Sequence, residues 1–197
     1  MQDTSALAIT RCDWPEPRPA DERELVLAAQ SDPEAFGAPY ERYFERMYRY
    51  IRTRTASDEE ALDLTQQVFV KALSGLQSYR NRGLPFGAWL FRIARNVVID
   101  ARRRRRPSVE WDLVPDLLQP SYEWGTEEVI VKQEALERLR ELMLTLRPDQ
   151  RELIVLRFEA QLPVAQIAKV LGKSYAATHK QLMRTLDLLK EAFRAQQ

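Results

Sequence analysis

The stretch Phe86-Gly-Ala-Trp-Leu-Phe-Arg-Ile-Ala-Arg-Asn-Val-Val-Ile-Asp-Ala-Arg-Arg-Arg-Arg-Arg106 decides how the rest of the chain is read. At about 100° per residue, Phe86, Leu90, Ile93 and Val97 fall on one narrow stripe, the mark of a helix with one face against a core. Arg92, Arg95, Asn96, Arg102 and Arg103 lie on the opposite arc, with Ile99 the apolar exception. Trp89 sits at the edge between the two arcs, and Tyr79 and Phe86 are close by in sequence. A cationic stripe beside aromatic rings is equipped to hold a phosphate backbone while stacking on unpaired bases. An isolated arginine run is more often a solvated face. The interleaving of rings and guanidiniums on one helix points instead to nucleic acid.

Working outward, 197 residues make room for one ordinary domain or two small ones. No run approaches the length of a membrane span, so membrane insertion is not expected. The chain starts with acidic and polar residues where a secretory signal needs a basic start and an apolar run, which favours a cytoplasmic location. The single cysteine, Cys12, excludes an internal disulfide and a cysteine-rich metal site. The formal net charge of +1 conceals a sorting of charge along the chain. Between Pro85 and Arg106 the bases are Arg92, Arg95 and the arginines 102–106, against Asp100. Between Pro107 and Ala135 the acids Glu110, Asp112, Asp116, Glu123, Glu127, Glu128 and Glu134 face only Lys132. Adjacent basic and acidic blocks suggest two surfaces with different partners.

The pattern is helical throughout. Residues 1–20, with Pro15, Pro17 and Pro19, read as a flexible leader. Asp32-Pro33 caps and opens a helix bearing Phe36, Tyr40, Tyr43, Phe44, Met47, Tyr48 and Ile51 at core spacing, with Pro39 a candidate kink. Ser57-Asp-Glu-Glu60 is a capping box for a helix at about 58–75. In that helix Leu62, Val68, Phe69 and Leu73 suit burial, while Asp63, Gln66 and Gln67 gather on a polar side. Pro107, Pro115 and Pro120 mark an acidic linker with Trp111 and Trp124. Helices are then expected at 127–145, 148–160, 163–171 and 175–194. The fold class is all-α: a leader (1–20), a first small domain (21–106), a linker (107–127) and a second small domain (128–197).

Residues 163–184 carry helix-turn-helix spacing. Ala168 is small where two helices cross closely, and Gly172 supplies the positive φ of the tight turn. Ile167, Leu171 and Leu182 make the inner face, and Thr178 stands where such units bury an aliphatic residue. The second helix would enter a major groove with His179, Lys180, Met183 and Arg184 towards bases or phosphates, and Ser174 and Tyr175 on the backbone. Gly172-Lys173-Ser174 imitates the end of a phosphate-binding loop, but that motif needs a glycine where Ile167 stands and a preceding strand.

Taken together, these segments resemble a bacterial sigma factor of the extracytoplasmic-function group. Asp32-Pro-Glu-Ala-Phe36, Ala61-Leu-Asp-Leu-Thr-Gln-Gln-Val-Phe69 and Phe86 to Asp100 resemble region 2. Leu146-Arg-Pro-Asp-Gln-Arg-Glu-Leu-Ile-Val-Leu-Arg157 and the helix-turn-helix resemble region 4. The resemblance implies a factor that binds core RNA polymerase, at the beta-prime clamp and the beta subunit, and directs it to promoter DNA. It assigns Asp63, Gln66 and Gln67 to the clamp. It assigns Tyr79, Arg80, Phe86, Trp89, Arg92, Arg95, Asn96, Arg102 and Arg103 to a melted minus-ten element, where bases leave the stack. Ser174, Tyr175, His179, Lys180, Met183 and Arg184 fall to the duplex minus-thirty-five element, and the acidic linker to the cleft that later carries RNA. An anti-sigma factor covering both domains is common in this group and is a further candidate partner.

The chain departs from the family pattern in ways that bear on this reading. Leu62 and Gln67 stand where the family usually or often has an acid, which weakens attraction to a basic clamp; phosphorylation of Thr65 is one candidate for restoring charge. Gln181 replaces a usual basic residue. The competing reading is a stand-alone helix-turn-helix regulator, which leaves the Trp89 helix without a role. No catalytic residue, metal site or cofactor is expected, because the single histidine is His179 and no loop is glycine-rich.

Overall fold

The computed structural model describes residues 19–104 and 137–195. The expectations placed on residues 1–18, on Arg105 and Arg106, on the linker and on helix residues 127–136 lie outside the described residues. Those that are described form helices and turns without a strand, as the all-α reading expects. In chain order the helices are α1 (Pro19–Ser31), a 3-10 turn (Pro33–Phe36), α2 (Gly37–Arg52), α3 (Asp58–Leu76) and α4 (Phe86–Arg104). There follow α5 (137–145), α6 (Pro148–Phe158), α7 (Val164–Leu171) and α8 (Tyr175–Ala195).

Local chemistry sets most of these boundaries. Asp32 accepts the Glu34 amide at 3.0 Å, but the turn it caps is 3-10 and passes into α2 at Gly37. Pro39 therefore falls within the first turn of α2, where an amide has no intrahelical partner, and no kink is needed. Ser57 accepts the Glu60 amide at 3.2 Å, while the Glu60 carboxylate reaches back to the Ala56 amide at 3.1 Å. The orphan carbonyls at the end of α5 are gathered by one side chain: Arg151 donates to Met143 and Leu144 at 3.0 Å each and to Leu146 at 3.3 Å.

Two elements differ from the sequence reading. Helix α1 was not anticipated. Its buried stripe is Glu22, Val26 and Ala29, and a carboxylate in the first position breaks the apolar periodicity that would have announced it. In α3 the buried face is Ala61, Leu64, Thr65, Val68, Phe69, Ala72 and Leu76. Leu62 and Leu73, expected inside, are 41% and 43% exposed. The small residues Ala61 and Ala72 take inner positions, and α2 packs closely on this helix, with the Tyr40 and Phe44 rings 4.7 and 6.4 Å from Phe69.

Helix α4 is the centre of the molecule. It packs against α2 and α3 on one side and α7 on the other. Its interior residues are consequently more numerous than one stripe: Phe86, Gly87, Ala88, Leu90, Phe91, Ala94, Val97 and Val98. Each large side chain taken out of water here contributes roughly 1.5–3 kcal/mol. The buried cluster runs on from the first half into the second, through Leu153, Leu156, Leu162 and Ile167.

The seam between the halves is also polar. Tyr50 donates to Glu152 at 2.8 Å, Arg54 donates to the other oxygen of that carboxylate, and Arg95 stands 4.0 Å from it. Burial pulls the Arg54 guanidinium down, but Glu152 and Tyr50 reverse the effect and leave it raised. Arg46 donates to the carbonyls of Ala160 (3.0 and 2.7 Å) and Gln161 (3.2 Å) and covers the Tyr43 ring. Gln161 sits at φ 52, a left-handed conformation that this contact helps to hold. Removing Glu152 leaves Arg54, whose side chain is 4% exposed, without its counter-charge. Glu152→Ala is therefore expected to lower stability in urea unfolding by about 3–5 kcal/mol. Asp58→Ala, at the exposed pair with Arg52, is expected to cost far less.

Candidate nucleic-acid interface

The loop between α3 and α4 and the first turns of α4 assemble the aromatic part of the site. Tyr79 lies against Phe86 and Trp89, with ring centroids 5.5 and 4.9 Å away, and Phe86 lies 5.5 Å from Trp89. Tyr79 and Phe86 are 8% and 2% exposed, so neither offers a face to a base. Their expected direct contact with DNA is corrected: they are the backing of Trp89, which alone of the three is partly exposed. The indole also rests on Gly75, where an added Cβ would approach Trp89 Cζ2 to 3.3 Å. Burial first, and Glu22 second, push the Tyr79 hydroxyl up to about 12, and it remains a donor to the Leu84 carbonyl at 2.8 Å.

The polar edge of the site is arranged as expected, with one addition. Arg92, Asn96, Arg102 and Arg103 are exposed along α4, and Arg95 is half-exposed. Arg92 donates to the Lys169 carbonyl of α7 at 3.0 Å, so two of these cations, Arg92 and Arg95, already face the second half. Arg80 is exposed and folds back on the Gln77 and Tyr79 carbonyls at 2.7 and 2.8 Å.

In the second half, Gly172 ends α7 at φ 66 and Lys173 donates to the Ala168 carbonyl at 2.9 Å, so the phosphate-loop imitation is a helix cap. Thr178 is fully buried without an unmet hydroxyl, because it donates to the Ser174 carbonyl at 2.9 Å. Ser174 accepts the Ala177 amide at 3.2 Å and so caps α8. Tyr175 and His179 are exposed and stack on one another at 5.9 Å. Lys180 and Arg184 are exposed, and Met183 is partly buried against the core. Arg147, Asp149, Gln150, Lys180, Gln181 and Arg184 line a groove of about 410 Å³ along this face. Gln181 donates to Asp149 at 2.6 Å and accepts from Lys173 at 2.9 Å, so its side chain is spent within the unit.

On α3, Asp63 and Gln66 are exposed and Gln67 donates to Asp63 at 2.7 Å. Leu62, Val70 and Leu73 are exposed around them, which makes this face more apolar than its motif suggested. Thr65 is 0% exposed and donates to the Ala61 carbonyl at 2.7 Å. Its expected phosphorylation is corrected, since a kinase has no access to a hydroxyl beneath the helix.

A bundle with a ring-and-arginine edge, followed by a helix-turn-helix with a cationic outer face, defines a protein with two nucleic-acid-binding modules. Residues 39–107 match the profile of Sigma-70 region 2, and residues 136–189 that of Sigma-70, region 4. The chain is similar to the extracytoplasmic-function RNA polymerase sigma factor SigD of Mycobacterium tuberculosis, 31% identical over 73% of this chain and 69% of SigD. It is 36% identical to BldN of Streptomyces coelicolor over 78% of this chain, a match that spans 59% of the length of BldN. Its fold matches that of CnrH in complex with the cytosolic domain of CnrY, with a TM-score of 0.65 and 25% identity over 89% of this chain and 99% of that one. The chain belongs to the sigma-70 family of RNA polymerase sigma factors, in the extracytoplasmic-function group.

Thr65→Val keeps the shape of the buried side chain and is expected to leave polymerase affinity unchanged in a pull-down titration. Thr65→Asp is expected to abolish the cooperative thermal transition of the first half, because it buries an unpaired charge.

Proposed function

We propose that this chain binds core RNA polymerase, carries it to a promoter and opens the minus-ten element, working as a non-enzymatic initiation factor in the cytoplasm. The observation that carries this reading is the half-exposed Trp89 ring, backed by Tyr79 and Phe86 and flanked by Arg92, Arg95 and Asn96, on the same chain as a helix-turn-helix that turns at Gly172. In the proposal residues 21–106 act on polymerase and melted DNA, 107–127 link, and 128–197 read duplex.

Trp89 stacks on an unpaired base while the arginines of α4 restrain the flanking phosphates. Asp63, Gln66 and Gln67 meet the polymerase clamp, and the exposed Leu62, Val70 and Leu73 around them add apolar area to that contact. His179, Lys180 and Arg184 meet the minus-thirty-five duplex, with Ser174 serving the helix start. A protein partner, in the proposal an anti-sigma factor, is supported by the likeness to CnrH, whose structure was solved with the cytosolic domain of CnrY. Among the described residues no helix is long and apolar enough to cross a membrane.

Run-off transcription with purified core polymerase tests the proposal directly; no promoter-specific start in the presence of the chain would overturn it. A native gel with and without core enzyme separates it from a stand-alone regulator, which would bind duplex DNA unaided. Within the active holoenzyme, Trp89→Ala is expected to slow promoter opening with little effect on duplex binding. Arg184→Ala is expected to weaken minus-thirty-five recognition by about 1–3 kcal/mol if its guanidinium pairs with a guanine, read as lost discrimination between promoter variants.

A further inference from the structure

The loop 77–85 must hold one shape if it is to select bases, and its local contacts are supplemented from a distant helix. Gly83 sits at φ 80; within the loop the Arg82 amide donates to the Arg80 carbonyl at 2.7 Å, the Tyr79 hydroxyl to Leu84, and the Arg80 guanidinium to Gln77 and Tyr79. The Tyr79 amide donates to Gly75 and Leu76 of α3, the Tyr79 ring packs on Phe86 and Trp89 of α4, and further anchors come from α1, far away in sequence. Gln30 donates from one amide nitrogen to the carbonyls of Leu76 (2.8 Å) and Tyr79 (2.9 Å), at the end of α3. Gln77 returns a bond to the Gln30 carbonyl at 2.6 Å. At the other end of the loop, the Gly87 amide, an orphan donor in the first turn of α4, is met by the Glu22 carboxylate at 3.0 Å. The same oxygen of Glu22 accepts from the Tyr43 hydroxyl.

Glycine at residue 87 eases this seat. A Cβ on residue 87 would stand 3.0 Å from the Tyr43 oxygen and 3.4 Å from Glu22 Oε1. Glu22 is 9% exposed, and an acidic residue at a core position of a helix that otherwise shows only a short apolar stripe needs a reason beyond core packing. Between the two anchors lies a cavity of about 450 Å³, walled by Glu22, Val26 and Gln30 on α1 and by Tyr79, Asn81 and Phe86 on the loop side.

We infer that Gln30 and Glu22 are positioning residues for minus-ten recognition: α1 splints the base-selecting loop by holding the last carbonyl of α3, the Tyr79 carbonyl of the loop and the Gly87 amide at the start of α4. The inference rests on the proposed role of that loop in capturing melted DNA. It extends the recognition apparatus to residues 19–31, which precede the stretch matching region 2.

Holoenzyme assembled on core polymerase is incubated with a pool of short single-stranded DNA oligonucleotides of random sequence, and the bound fraction is sequenced. The unaltered chain should enrich particular bases at particular positions. Gln30→Ala should reduce the strongest of these preferences by about fivefold, as the competent loop shape becomes less populated. Its polymerase affinity and thermal midpoint should stay near those of the parent. Gln30→Lys, which returns donors to both carbonyls, should recover the preference, and Glu22→Gln, which keeps the acceptor, should lose less than Glu22→Ala. If Gln30→Ala enriches the same bases to the same extent, the loop holds itself and the inference fails. If selectivity falls only together with the thermal midpoint and Gln30→Lys restores neither, α1 is a general brace and the inference fails. If the unaltered chain enriches no base, the loop does not select bases, and the underlying reading fails with it.

Discussion

Helix α4 has to satisfy two halves of the molecule at once, and the remaining architecture follows from that constraint. Its apolar residues serve α2 and α3 on one side and α7 on the other, which leaves only a strip for polar side chains. Arg92, Arg95, Asn96, Arg102 and Arg103 occupy that strip together with Asp100 and Arg104. The rings at its start obey the same rule. Tyr79 and Phe86 are drawn inside to complete the packing, and Trp89, the largest of the three, is the one left with an open edge. A stacking surface is thereby set on a rigid helix and backed by rings, which limits the entropy it loses when a base arrives.

What could be read directly from the amino acids was whatever rests on local rules. The caps at Asp32 and Ser57 and the left-handed Gly172 are each decided within a few residues and form as read, although the turn that Asp32 caps is 3-10. The first half of the polar face of α3 was also legible. The failures share a cause: they concern which face a neighbouring element covers. Leu62 and Leu73 are apolar but outward, while the small Ala61 and Ala72 take inner positions. Thr65 lies beside polar Gln66 and Gln67 in sequence but under the helix in space. Helix α1 escaped notice because one of its core positions is a carboxylate, and only its distant partners Tyr43 and Gly87 make that position intelligible.

Some of the candidate site residues turn out to act at one remove. Ser174 caps α8, and Met183 packs one side against the core, while Gln181 beside them is engaged within the unit. Their chemistry would have suited DNA equally well, so residue type alone could not decide. The distinction between a side chain that reads and one that holds the reader comes from its partners, and partners are long-range.

The polar seam around Glu152 and Arg46 has a further consequence. A compact chain of this length has a radius of gyration of about 16 Å. Promoter elements centred about 25 base pairs apart lie roughly 85 Å from one another along the duplex. In the proposed function the halves must therefore part, like a pair of calipers, for both elements to be engaged at once. Tyr50, Arg46, Arg54 and Glu152 would then trade one another for water, an exchange that apolar contacts cannot make, while Arg92 and Arg95 would exchange protein oxygens for phosphate oxygens. The work of opening would be met in part by the nucleic acid embraced.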